Sequence, residues 1–166
     1  MNEKLYRKIQ SMTLTEIYAA MYTDPLTRVQ NRRAFDEAVA EGAHDQVAII
    51  DLDSLKYLND ETPGGHRTGD EFLASLAHTL TRVFGDDVVY RLSGDEFAVL
   101  GDNKLALAGL LDKARSYFPG FSFGVGTTVE TADRALRVEK RKREQLGLRA
   151  ARGERPPWMD KTKKVV

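Results

Sequence analysis

No cysteine occurs in the 166 residues, so disulfide staples and thiolate metal sites are both excluded. Any side-chain metal ligand is therefore a histidine or a carboxylate. Nor does any apolar run approach the length of a membrane span. The opening stretch MNEKLYRKIQ is too polar for a secretory signal, and a cytoplasmic location is expected. Internal repeats are absent as well. What remains is an ordinary globular composition, 42% hydrophobic and 30% charged, at a length suited to one domain with a proper core.

The net charge of zero conceals an asymmetry. From Arg137 to Val166, 11 Lys/Arg face 4 Asp/Glu, a local balance of +7 that leaves −7 upstream. A basic tail suits phosphates, RNA or an acidic membrane surface. A solvated helix face followed by a disordered tail is the simpler reading, and nucleic acid is not expected as a partner.

Hydrophobic spacing predicts alternating helices and strands. Leu5, Ile9, Met12 and Ile17 recur at near-helical spacing, which predicts one amphipathic helix over residues 3–22. Asp24-Pro25 ends it and can start another turn, and Asn31 can cap a helix carrying Phe35, Ala38 and Val39. QVAIIDLD reads as a buried strand. A helix from Arg67 to Phe84 follows, with Phe72, Leu73, Leu76 and Leu80 inward. VVYRL-SGDE-FAVLG has the form of a hairpin. Leu105–Phe118 reads as helix, FSFGVGT as strand, and Thr131–Leu146 as a last helix. The stretch ARGERPPWMDKTKKVV has paired prolines and no periodicity, which predicts a loose tail. The fold class expected is an α/β (α+β) sandwich, an antiparallel-centred sheet flanked by helices.

Two acidic clusters carry the candidate chemistry. Asp51 and Asp53 end the first buried strand, where alternation can place both on one face. Asp95-Glu96 occupy the hairpin tip. If the hairpin pairs beside that strand, carboxylates from both meet at one edge. Magnesium prefers such hard oxygen ligands and sits on one or two carboxylates plus substrate phosphates. Plainer roles exist: Asp53 as the cap of the helix starting SLKYLN, Asn59 and Asp60 as its end, His66 as the next cap, Lys56 as a solvated lysine.

Four ordered motifs resemble the GGDEF family. DPLTRVQNRRAF, from Asp24, is similar to its DxLTGLxNRRxF opening. Asp51-Leu-Asp-Ser-Leu-Lys-Tyr-Leu-Asn-Asp with Gly65-His66 and Gly69-Asp70 resembles DxDxFKxxND…GHxxGD. Arg91-Leu-Ser-Gly-Asp-Glu-Phe matches RxGGDEF with one change. Phe121-Ser-Phe-Gly-Val-Gly and Ala132-Asp-Arg-Ala-Leu resemble the SxGxx strand and ADxAL helix. The resemblance spans about Asp24 to Lys140. It divides the chain into an N-terminal helix at 1–22, a GGDEF domain at 23–148 and a basic, flexible tail at 149–166. The first 22 residues are too short for a sensor domain and look like the helix that joins a sensor to this domain.

The resemblance implies a diguanylate cyclase, condensing two GTP into cyclic di-GMP and pyrophosphate with Mg²⁺ or Mn²⁺ at a homodimer interface. Asp51 and Asp95 match the side-chain metal ligands, with the Leu52 carbonyl as a third. Asp95, with Glu96 beside it, matches the proton acceptor, and Lys56 the lysine near the triphosphate. Asn59 and Asp70 match the guanine-reading pair, and His66, Ser93, Gly94 and Lys140 further substrate positions.

Departures accompany the matches. Ser93 replaces the signature's first glycine, and the stretch between Asn59 and Gly65 is two residues longer than usual, which predicts a bulge. Glu139 replaces an alanine. Glu144 stands where an arginine is expected, leaving Arg143 or Arg141 as a possible substitute on the phosphates. Phe84-Gly-Asp-Asp87 lacks the arginine of the RxxD product site, so feedback through it is not expected. Two alternatives follow: a degenerate domain that binds GTP without turnover, and a related palm-like enzyme making another nucleotide product.

Overall fold

The structure is a computed structural model describing residues 2–160, apart from the side chains of Leu5 and Asp160. Helices α1 (Glu3–Gln10) and α2 (Leu14–Tyr22) precede a short strand β1 (Gln30–Asn31) and helix α3 (Arg32–Glu41). Then come β2 (Gln46–Leu52), α4 (Leu55–Glu61), α5 (His66–Phe84) and the hairpin β3 (Val89–Ser93) and β4 (Glu96–Gly101). The chain continues through α6 (Lys104–Tyr117), β5 (Phe121–Gly126), α7 (Val129–Gln145) and a 3-10 turn at Pro157–Asp160.

Two expectations change. The single helix over 3–22 is broken between α1 and α2, because Thr13 and Glu16 form a capping box that starts a new helix. The supposed loose tail packs as far as the structure describes it, with Trp158 only 4% exposed among Phe72 and Phe118. Residues 161–166 lie outside the described residues. Elsewhere the predicted elements stand, including Asn31 as the cap of α3, its side chain accepting the Ala34 N–H. Val39 is exposed, while Phe35 is buried.

The sheet order is β1-β3-β4-β2-β5, antiparallel throughout except for the parallel β1–β3 pair. Helices cover both faces, which explains why β2 reads as an unbroken apolar run. Ala48, Ile50 and Leu52 pack with Leu73, Leu76 and Leu80 of α5 and Leu111 of α6. Val47 and Ile49 point to the opposite face, with Phe35 of α3 and Leu136 of α7. The period of two then puts Asp51 at the end of the row that faces α7.

Strand β5 is an edge, and Glu139 of α7 covers it. Its carboxylate accepts the Phe123 N–H and pairs with Arg115 of α6 at 2.5 Å, joining three elements. The Arg115 guanidinium in turn lies 4.5 Å from the Phe123 ring centroid. Glu139→Ala is expected to destabilise the fold by about 2 kcal/mol, since it leaves the half-buried Arg115 guanidinium only the exposed Asp112 at 3.7 Å and strips a strand N–H of its acceptor. Glu139→Gln should cost less, because an acceptor for Phe123 survives. Denaturant melts of the two variants would check the order.

Candidate functional site

Strand pairing builds the site. Asp51 stands opposite Glu96 in the β2–β4 register, and the Leu52 N–H donates to the Asp95 carbonyl at 2.9 Å. The two acidic clusters therefore meet at one end of the sheet. They open onto a cleft of about 460 Å³ whose lining includes Asp51, Leu52, Lys56, Asn59, Asp95 and Lys140. Glu96, His66, Asp70, Ser93 and Gly94 are not part of that lining. Asp70 is exposed on α5, directly after Gly69, over which Asn59 Oδ1 packs so closely that any side chain there would overlap it. The turn between α4 and α5 leaves Asn59 against Gly69, the residue before Asp70.

Arg91 holds the hairpin tip in place. Its guanidinium donates to the Gly94 carbonyl at 2.8 and 3.2 Å and to Asp24 Oδ1 at 3.1 Å. Asp24 also accepts from the Thr27 N–H and hydroxyl, so it closes a turn and starts no helix. Burial pushes its carboxyl up, but the bonds from Thr27 and Arg91 prevail and hold it below its ordinary value. Gly94 has φ +44, a conformation that favours glycine. Ser93 has no such requirement: it is exposed, and its hydroxyl donates to Glu96 Oε2 at 3.2 Å. The departure from the signature falls at the position where a side chain fits.

Asp51 is 7% exposed, and Lys140 Nζ lies 2.7 Å from its Oδ2. Burial raises its carboxyl to about 6; Lys140 opposes the rise, while Asp95 and Asp53 add to it. Asp53 also faces α7, yet it stands outside the cleft lining. It caps nothing, since Ser54 holds the cap position of α4 without a side-chain bond. Instead its fully buried carboxylate accepts from Ser122 Oγ at 2.9 Å, Arg149 Nε at 2.8 Å and Arg143 Nη2 at 3.3 Å. Arg143 is thereby turned into the core, and neither it nor the exposed Arg141 lines the cleft.

The residues that sequence reasoning missed come from beyond α7. That helix ends in a Schellman turn: the Gly147 N–H donates to the Glu144 carbonyl, the Leu148 N–H to that of Arg143, and Gly147 has φ +65. The reversal sends Arg149 back to Asp53 and to Glu144, and brings Arg149 to Gly153 along one wall of the cleft. Two signals were present in the sequence. Gly147 follows the helix where a reversal needs it, and the chain's one tryptophan is a poor fit to a loose tail.

With this geometry in view, the relatives are informative. The family described as "Diguanylate cyclase, GGDEF domain" matches residues 21–117. The chain belongs to the GGDEF family. It is 29% identical to the diguanylate cyclase DgcP of Escherichia coli, over 78% of this chain and 47% of that protein. To the cyclic di-GMP phosphodiesterase NbdA of Pseudomonas aeruginosa it is 40% identical, over 48% of this chain and 11% of that protein. The chain thus spans less than half the length of both relatives. Among solved structures, the coiled coil and GGDEF domain of DgcB from Caulobacter crescentus, in complex with c-di-GMP, aligns with a TM-score of 0.67 at 25% identity. That alignment covers 84% of this chain and 90% of that one. A mixed five-stranded sheet flanked by helices is thus the family's fold. No helix of the described residues is long and apolar enough to cross a membrane.

The raised Asp51 carboxyl has a consequence for the metal-free protein. A group protonated more readily in the folded state contributes stability that is fully present below its unfolded value near 3.8, and is lost as pH rises through about 6. Asp51→Asn lacks that loss. Above pH 7 without metal, the variant is expected to be at least as stable as the parent, by up to about 3 kcal/mol, with the gap closing near pH 4. Urea melts of both proteins across that range would test it.

Proposed function

We propose that the chain is a diguanylate cyclase that condenses two GTP into cyclic di-GMP with release of two pyrophosphates. The observation that carries this reading is the convergence of Asp51 and Asp95 in one cleft with Lys56, Asn59 and Lys140. The donor set fits Mg²⁺ or Mn²⁺. Among the described residues no group of three His, Cys, Asp or Glu side chains gathers to cage an ion. Two carboxylates with the Leu52 carbonyl suit a metal that keeps places for water and phosphate oxygens. When bound, such an ion neutralises phosphate charge and lowers the pKa of the attacking hydroxyl.

The chain's own residues divide the remaining work. In each of two steps, the 3′-oxygen of one GTP bonds to the α-phosphorus of the other, and the bond to pyrophosphate breaks. The hydroxyl proton passes to Asp95, with Glu96 beside it. Lys56 and Lys140 supply fixed positive charge where negative charge develops on the phosphates. Asp70 accepts from the guanine N1–H and amino group, donors that adenine does not present together, and Asn59 and His66 complete that subsite. One cleft holds one GTP, so a second copy must face the first, antiparallel, in a homodimer. A GTP-binding module without turnover is the second reading, favoured by Glu144 one turn beyond Lys140, which pairs with Arg149 and offers no cation to phosphate where the resemblance expects an arginine.

Incubation with GTP and Mg²⁺ should yield a cyclic dinucleotide, with none from ATP, read by chromatography and mass. GTP binding with no product over hours at high protein concentration would favour the second reading. Asp95→Asn should abolish turnover and leave the fold intact, because the residue sits at a hairpin tip; wild-type turnover in that variant would refute the shared metal site. Ser93→Gly should leave turnover unchanged or raise it, since the serine serves only a bond to Glu96. A sharp fall would give that hydroxyl a role of its own.

A further inference from the structure

We propose that Arg152, carried by the segment after α7, contacts the polyphosphate chain of the substrate, and that Trp158 is the latch holding that segment in place. The inference rests on the nucleotide reading above and assigns it a residue from outside the matched region, which ends at residue 117.

The segment is pinned at both ends. At its start, Arg149 Nε meets the buried Asp53 carboxylate at 2.8 Å, and a second guanidinium nitrogen pairs with Glu144. At its far end, Trp158 packs against Phe72 and Phe118, with ring centroids at 5.3 and 6.1 Å, and lies over Gly120. Gly120 also accepts the Asp53 N–H through its carbonyl, so latch and pin meet on one backbone unit. The indole Nε1 has no hydrogen-bond partner among the described residues, so packing alone holds it. Between these points the chain runs along the cleft, and Arg149, Ala150, Ala151, Arg152 and Gly153 form one wall.

Charge decides what this wall is for. Arg149 is already engaged by Asp53 and Glu144, whereas Arg152 has no ion pair among the described residues and is exposed. Asp51 and Lys140 of the lining pair with each other, so without Arg152 the remaining charges are Asp60 and Asp95 against Lys56. That is a net negative surface, which repels a polyphosphate. Arg152 brings the cations level with the carboxylates. Its planar fork of donors suits phosphate oxygens, and the alanines and glycine beside it leave room for them.

The test uses the whole chain with Mg²⁺ and three probes, GTP, inorganic tripolyphosphate and GMP, with affinities from calorimetry. Arg152→Ala should weaken GTP and tripolyphosphate binding by roughly tenfold, the loss of one charge-assisted contact. GMP affinity should stay within about twofold, and Arg152→Lys should recover part of the loss. Arg141→Ala removes the same charge from a position outside the cleft and should change nothing. Trp158→Ala should expose residues 149–155 to trypsin and lower tripolyphosphate affinity as Arg152→Ala does. Equal tripolyphosphate affinity in the parent and Arg152→Ala overturns the inference and leaves the nucleotide reading standing. A parent that binds neither GTP nor tripolyphosphate refutes that reading itself. Equal losses in Arg152→Ala and Arg141→Ala reduce Arg152 to a bulk-charge effect and likewise overturn the proposal.

Discussion

Asp53 is the contact on which the rest of this end of the molecule depends. A carboxylate with no solvent exposure is tolerated only when its charge is matched and its oxygens are hydrogen-bonded. Here the partners come from three places: Ser122 of β5, Arg143 of α7 and Arg149 beyond it. Each anchors an element next to the cleft. Removing Arg143 would leave Arg149 shared between Asp53 and Glu144, and removing Arg149 would release the following segment, so strand end, last helix and that segment hold their positions together.

The same region shows why two carboxylates two residues apart behave so differently. Asp51 opens onto the cleft and meets Lys140, while Asp53 is sealed behind it. Burial raises the Asp51 carboxyl to about 6, a strain that a bound cation would relieve. Asp53 is matched entirely by protein. The site thus sits on a fixed internal ion cluster and keeps one incompletely neutralised carboxylate at its surface.

Much of this was legible beforehand, for identifiable reasons. The unbroken apolar run of β2 reads as a strand because both sheet faces are covered, and the inner face of α5 follows from helical spacing. Meeting of the acidic clusters follows from pairing the hairpin with β2, which register confirms through Asp51 and Glu96. The break before α2 was legible too, in the Thr13–Glu16 spacing, but the run of apolar positions across it spoke for continuity. The tail was misjudged because prolines and lack of periodicity say nothing of whether one aromatic side chain finds a pocket.

By itself, then, the sequence determined most of the elements, their order and the residue types on the cleft's floor, because these depend on local spacing and on motifs within single segments. Tertiary structure alone decided which of two aspartates two residues apart opens onto the cleft. It decided that Ser93 occupies a position with no need of glycine while Gly94 does not. It also decided that Arg149 returns across 96 positions to Asp53. Such outcomes turn on the balance between desolvation and charge pairing among residues far apart in the chain, and no local pattern records that balance.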